Sequence, residues 1–336
     1  MRRACAVLLA ALVALGLLSA PAAAGPPARA RAKHPLVVTG YALPGLKASV
    51  LRRDRRALDI VGADGLSVKA DGSGVTSSHA ALRRLKRLAH RRGLRAELLV
   101  NNYAGSLGDF DPVRVSRLLA SRAHRMAAVR RLVGTVRREK WDGVTVDLEA
   151  MRRRDRDGLV AFVRELRAAL PRRVELSMDL GARTSIRQYR DAGFDLRRLA
   201  RHVDRMVLMT YDQHGPGWSG PGPIGAIPWQ RRTMKVLLGR VPRARVDLGI
   251  AGYGYTWPTS GTGHTVSPRR ARAMVEADGA TAVWHPKIGE WSTELSDGTV
   301  MWWSDARSYR RRLAVARDLR VHGVALWVLG TADPLP

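Results

Sequence analysis

Two acidic side chains stand two residues apart in KWDGVTVDLEAM, Lys140 to Met151, inside a run that is otherwise apolar and β-branched. In extended backbone successive side chains point to opposite faces. Thr145, Asp147 and Glu149 therefore share one face, and Val144, Val146 and Leu148 take the other. Two carboxyls held close in a low-dielectric interior resist ionising together, so one keeps its proton to higher pH. A carboxylic acid protonated near neutral pH is what a general acid needs. The structural alternative is an acid pair neutralised by arginine. Most arginines here fall in helical patterns that face outward, and buried acids without evident partners tend to be functional.

Other chemistries find no footing. Cys5 is the single cysteine, so disulfides, thiol nucleophiles and thiolate metal sites are excluded once it is removed with a leader. The nine histidines form no HExxH and no His-x-His pair, which argues against zinc. There is no GxSxG elbow, no phosphate-binding loop, and no GxGxxG after a strand. Neither a metal nor a cofactor is expected.

Eight apolar, β-branched runs predict the elements that would position the acids: 35–42, 57–65, 96–103, 142–149, 173–180, 204–212, 245–257 and 323–330. Between them, apolar residues at helical spacing predict helices near 46–57, 78–92, 112–138, 155–170, 195–202, 228–240 and 305–321, with 112–138 long enough for two. Buried strands alternating with helices make an α/β protein with a parallel sheet. Eight such units suit a (β/α)8 TIM barrel, which runs to about 250 residues plus insertions. An open doubly wound sheet is the alternative. In a barrel Thr145, Asp147 and Glu149 point inward, and Glu149 sits at the C-terminal end where barrel enzymes keep their active sites. Asp142 is out of phase with the other acids and is expected to tie down the start of the strand. Residues 258–304 break the rhythm. They predict a small α+β insertion between the seventh strand and the last helix, with a hairpin turning at Asp297-Gly298.

The N-terminal region has the pattern of a secretory signal peptide over 1–24: Arg2 and Arg3, an apolar run, then APAAAG with a cleavage site after Ala24. Residues 25–34 read as a basic linker, and 35–336 as the barrel. No second apolar run approaches transmembrane length, so no integral membrane segment is expected in the mature chain. The formal charge is +29. Such a field favours anionic partners, and with export these would be cell-wall polymers rather than nucleic acid. Arginine spread over helix surfaces by GC-rich coding explains the charge equally well.

The stretch DGVTVDLE resembles the DxxDxDxE signature on the fourth barrel strand of glycoside hydrolase family 18. LMTYD (208–212) resembles that family's M-x-Y-D on the sixth strand, and GVALWVLG resembles its last strand with a tryptophan floor. MTYDQHGPGWSGPGPIGAIPW and the segment 300–334 are similar to the spore cortex-lytic and germination N-acetylglucosaminidase branch. The likeness covers 35–336. It implies a retaining, substrate-assisted mechanism without a protein nucleophile. Glu149 would be general acid and base. Asp147 would orient the 2-acetamido group, Tyr211 would donate to its oxygen, and Asp212 would bind sugar. Thr145 departs from the pattern, where an acid is usual. Its hydroxyl is expected to bond Asp147, and Thr145→Asp to shift the pH profile.

Tyr41 and Asn102, at the ends of strands one and three, are expected to reach the sugar. Met178 and Met209 would pack beneath it, with ordinary core packing as the alternative. Trp327 suits stacking under a pyranose ring. Trp218, Trp257, Trp284 and Trp291 are candidates for outer subsites. The substrate implied is a β-1,4-linked N-acetylglucosamine polysaccharide, peptidoglycan before chitin. A silent glycan-binding lectin on the same scaffold is the second reading. The third is a barrel acting on a phosphorylated metabolite, with GYGYTW (252–257) as its weak phosphate loop.

Overall fold

The computed structural model describes residues 36–336. The signal peptide and the linker expected from the sequence both lie outside the described residues. Eight strands close into a barrel: β1 (Val37–Ala42), β2 (Ile60–Ser67), β3 (Arg95–Asn101), β4 (Gly143–Asp147), β5 (Glu175–Gly181), β6 (Arg205–Met209), β7 (Val246–Ala251) and β8 (Gly323–Trp327). Each pairs in parallel with its sequence neighbours, and β8 closes on β1. The open-sheet alternative is therefore excluded.

The strands are buried on both faces, which is why they read as apolar runs rather than as alternating ones. All five residues of β4 are buried. The outer faces of the strands meet helices whose apolar residues recur at helical spacing. Leu82, Leu85, Leu88 and Ala89 of the helix Ala80–His90 are buried, and so are Leu159, Val160, Phe162, Val163 and Leu166 of Arg156–Ala169. Much of the arginine excess lies on the opposite, solvated faces. The run 112–138 divides into Pro112–Ala120 and Arg122–Glu139. Ser121 makes the break, since it leaves helical geometry and its hydroxyl accepts from His124 N–H as a cap.

Inside the barrel, below the mouth, lies a polar layer. Arg205 on β6 is almost wholly buried and donates to Glu97 at 2.6 Å, Glu175 at 2.8 Å and Asp247 at 2.9 Å. Its guanidinium is held well above its usual range by these carboxylates, against the opposing pull of burial. This layer sets the height at which the free acids above it begin. At the β1–β2 step Gly62 stands opposite Tyr41. A Cβ there would come within 2.4 Å of the Tyr41 ring, so the glycine makes room for the phenol to lie inward.

The run 245–257 is two strands, not one. After β7 the chain turns at Gly252, whose N–H donates to Trp327 O. It continues as Gly254–Trp257 in a separate antiparallel sheet with Thr265–Val266, Val300–Trp303, Glu290–Glu294 and Val283–His285. The helix Pro268–Asp278 completes this insertion, and its hairpin turns at Asp297-Gly298 with Gly298 at φ +80. Glu290 ties the insertion to the loop after β6. Its carboxylate accepts from Ile224 N–H and Gly225 N–H and pairs with buried Arg312 at 2.7 Å.

Candidate active site

The C-terminal mouth of the barrel gathers Asp147, Glu149, Tyr211 and Asp212. Asp147 is the last residue of β4, only 5% exposed, and its Oδ1 has no hydrogen-bond partner among the described residues. Its carboxyl is pushed well above the usual range by burial first, then by Glu149, Asp179 and Asp64. Glu149 lies two residues beyond the strand end. Burial raises its carboxyl to about 7; Asp212 and Asp109 add to this, while Arg183 opposes it. A carboxyl that holds its proton at neutral pH, beside a second with no ion-pair partner among the described residues, can deliver a proton to a bound ether oxygen. The acid pair is thus not a structural pair neutralised by arginine.

Glu149 is held by its backbone. Its N–H donates to Asn102 Oδ1 at 2.8 Å, and Asn102 Nδ2 donates to Glu149 O and to Asp111 O, both at 3.0 Å. Asn102 is fully buried, so it does not reach the sugar as expected from the sequence; it aims the acid. Tyr41 is corrected in the same way. It is 1% exposed and its hydroxyl donates to Asp179 Oδ1 at 2.7 Å. Thr145 does not bond Asp147. It is fully buried one pleat lower, where its hydroxyl donates to Glu97 at 3.1 Å and accepts from Ser177 at 2.9 Å. Met178 faces the helices within the main core, out of phase with the mouth. Asp142 accepts from Ala96 N–H and meets His90 Nε2, both at 2.8 Å, which fastens the start of β4 to β3 and its helix.

Met209, Tyr211, Asp212, Arg183 and Trp229 line an open cleft with Glu149. Burial raises the phenol of Tyr211, and Asp179 and Asp147 add to it. Tyr211 is therefore a neutral donor. Its ring meets Tyr253 edge-on at 6.3 Å. Asp212 sits in left-handed backbone at φ +57, a conformation Asp tolerates better than most residues. Asp212 is exposed, while its Oδ1 accepts from Tyr253 at 2.5 Å and Tyr255 at 2.8 Å. Burial raises this carboxyl and the two hydroxyls oppose the shift. GYGYTW is thus an aromatic wall that holds an acid, not a phosphate loop. Trp327 lies between the cluster of Tyr41 and the cluster of Tyr253, half-buried, as a floor. Trp218 is 57% exposed and stands edge-on to Tyr255 at 5.8 Å, and Trp257 donates to Ser219 O beside it. Trp284 and Trp291 pack on one another at 5.3 Å under Arg307, away from this wall.

Several mouth residues escaped the sequence reading: Asp64, Asp179, Arg183, Trp229, Tyr253 and Tyr255. Asp179 carried a usable signal. It stands with Ser177 on the inward phase of LSMDL, the same anomaly as in strand four. Among the described residues no group of three or more His, Cys, Asp or Glu side chains is placed to hold a metal, and no helix is long and apolar enough to cross a membrane.

The family model described as glycosyl hydrolases family 18 matches residues 82–332. The uncharacterized glycosylase YvbX of Bacillus subtilis is 21% identical over 251 residues, covering 72% of this chain and 73% of the relative. The cortical fragment-lytic enzyme of Bacillus subtilis is 28% identical over 217 residues, 60% of this chain; the match spans 50% of that relative's length. Among solved structures, a chitinase from Chromobacterium violaceum superposes with a TM-score of 0.80 at 24% identity, covering 89% of this chain and 96% of that one. The Bacillus cereus spore cortex-lytic enzyme SleL superposes with a TM-score of 0.80 at 20% identity, covering 90% and 73%.

Proposed function

The chain belongs to glycosyl hydrolase family 18, and from that premise we propose that it cleaves β-1,4-linked N-acetylglucosamine glycans with retention, by participation of the substrate's own acetamido group. The observation that carries this reading is the placement of Glu149 at the cleft, two residues beyond buried Asp147, whose Oδ1 has no partner among the described residues; burial pushes the Glu149 carboxyl up to about 7.

Glu149 donates its proton to the glycosidic oxygen as the C1–O bond breaks. The acetamido carbonyl oxygen closes onto C1 and gives an oxazolinium ion, so no protein nucleophile is needed. Asp147 accepts a hydrogen bond from the acetamido N–H and offsets the positive charge as it develops. Tyr211, a neutral phenol at this site, donates to the acetamido oxygen and fixes its line of attack. Glu149, now a carboxylate, takes a proton from water as the water opens the ring from the same face. General acid–base catalysis of this kind contributes about 10²–10⁴-fold. Trp327 offers an apolar face under the reacting sugar, and Asp212 with Trp229 borders it.

Peptidoglycan is the first substrate. Similarity to the cortical fragment-lytic enzyme of Bacillus subtilis supports it, as does the net charge, +29 for the full chain and +27 without Arg2 and Arg3, which would draw the exported chain to an anionic wall. Export by the N-terminal Arg2-Arg3 and apolar segment belongs to the same proposal. To test it, the protein lacking residues 1–24 is incubated with purified peptidoglycan and with chitin oligomers, and new reducing ends are identified by mass spectrometry. N-acetylglucosamine ends from peptidoglycan are expected. N-acetylmuramic ends would overturn the specificity, cleavage of chitin alone would move the substrate to chitin, and binding without cleavage would establish a lectin.

A further inference from the structure

Thr145 removes a carboxyl from the inward face of β4, and the neighbouring strand brings one back. β4 and β5 run parallel with Thr145 opposite Ser177 and Val146 opposite Met178. The paired register ends at Val146 and Met178; Asp147 and Asp179 are the next residues on the two strands, and Asp179 is among the charges that raise Asp147. The pair one pleat lower shows how close such opposed inward side chains come: Ser177 Oγ and Thr145 Oγ1 are hydrogen-bonded at 2.9 Å. Adjacent strands lie about 4.8 Å apart, within reach of two carboxyls. Asp147 and Asp179 are 5% and 4% exposed. Asp147 Oδ1 has no partner, and Tyr41 holds only one oxygen of Asp179.

We propose that Asp147 and Asp179 form a cross-strand carboxyl pair sharing one proton, with Asp179 as the positioning residue that stores the proton while Asp147 faces the substrate as a carboxylate. The last clause rests on the hydrolytic reading above; the pair itself does not. The transfer is balanced without a co-reactant. An O–H bond breaks at Asp147, another forms at Asp179, and the charge of the pair is unchanged.

The surroundings favour one proton rather than none or two. Glu149 just beyond the end of β4, Asp64 from β2 and Glu97 from β3 add negative charge around the pair. Tyr41 from β1 donates to Asp179, and the phenol of Tyr211 is raised by burial and by both carboxyls, so it stays neutral. Arg205 from β6 is the nearby cation, but its donors are already committed to Glu97, Glu175 and Asp247. Its charge reaches Asp179, and among the described residues no cation offsets a second charge at Asp147. Burial raises both carboxyls, Asp179 to about 8.

The test is a titration of carboxyl carbons in the full-length protein labelled with 13C-aspartate, read by NMR without substrate, with Asp147→Asn used to assign the signals. In wild type Asp147 and Asp179 are expected to titrate in two linked steps. In Asp179→Asn the amide oxygen can still accept from Tyr41, and Asp147 is expected to titrate in one step about one pH unit or more lower, having lost its like-charged neighbour. The acid limb of kcat/KM on the N-acetylglucosamine tetramer should move down with it, a shift that a merely structural role would not produce. Independent single steps in wild type, or an Asp147 titration unmoved in Asp179→Asn, would overturn the pair. A wild type that titrates as a pair yet cleaves no glycan would sustain the pair and remove the hydrolytic reading instead.

Discussion

Replacing Glu149, the proposed general acid, should make the protein more stable, and by an amount that depends on pH. Folded Glu149 keeps its proton to about pH 7, against an ordinary value of 4.5. The folded state therefore binds a proton that the unfolded chain releases between those values, so stability falls as pH rises through this window. Below about pH 4 both states are protonated and Glu149 has no effect. Above pH 7 both are ionised and the full cost of burying the charge is present. The span of about 2.5 pH units at 1.36 kcal/mol each sets a ceiling near 3 kcal/mol. Glu149 lies at a cleft that water enters, so about 1–2 kcal/mol is expected at pH 8. Glu149→Gln keeps the shape and cannot ionise. Urea unfolding of both proteins at pH 4, 6 and 8 measures the difference, with an unchanged m-value as the check on two-state comparison. The variant should be inactive, equal to wild type at pH 4, and more stable at pH 8. A gap independent of pH, or a variant less stable at pH 8, would refute the account of Glu149 as a buried acid held protonated by its site.

Arg205→Met should cost about 3–5 kcal/mol in urea unfolding at pH 7, because it strands Glu97 and Asp247 as buried charges without their cation. Asn102→Ala removes the clamp on the Glu149 backbone. Steady-state kinetics on chitin oligomers should show kcat lowered about 10²-fold with KM little changed, the size expected when a catalytic group is misplaced by about 1 Å. Thr145→Asp puts a second carboxyl beside Glu97 in place of a donating hydroxyl. It should lose about 1–3 kcal/mol near pH 8 and recover towards pH 4, as judged by thermal melts at the two pH values.

The barrel was legible because its strands are short, apolar and evenly interrupted by helices, a pattern that depends only on local sequence. Asp147 and Glu149 were legible for a related reason, since carboxyls are conspicuous in a buried strand. What could not be read was which side chains meet across the barrel. Asn102 and Tyr41 sit at strand ends as expected, yet Asn102 turns to a backbone 47 residues away and Tyr41 to an acid 138 residues away. Thr145 sits among acids in the sequence but bonds Glu97, 48 residues off. The run through GYGYTW looked like one strand because its β-branched and aromatic composition continues past Gly252, where the chain in fact leaves the barrel. Asp179 was within reach of the same inward-phase argument that found Asp147. The insertion showed its turn at Asp297-Gly298, while its five-stranded order needed the folded chain.

The central claim is that the substrate's acetamido group, oriented by Asp147 and activated under Glu149, performs the displacement. Proton NMR of the first products from the N-acetylglucosamine tetramer, followed before mutarotation and repeated with the fully de-N-acetylated tetramer, tests it most directly. The account predicts β-anomer released first and no cleavage of the deacetylated substrate. Release of α-anomer, or comparable cleavage of both tetramers, would contradict it.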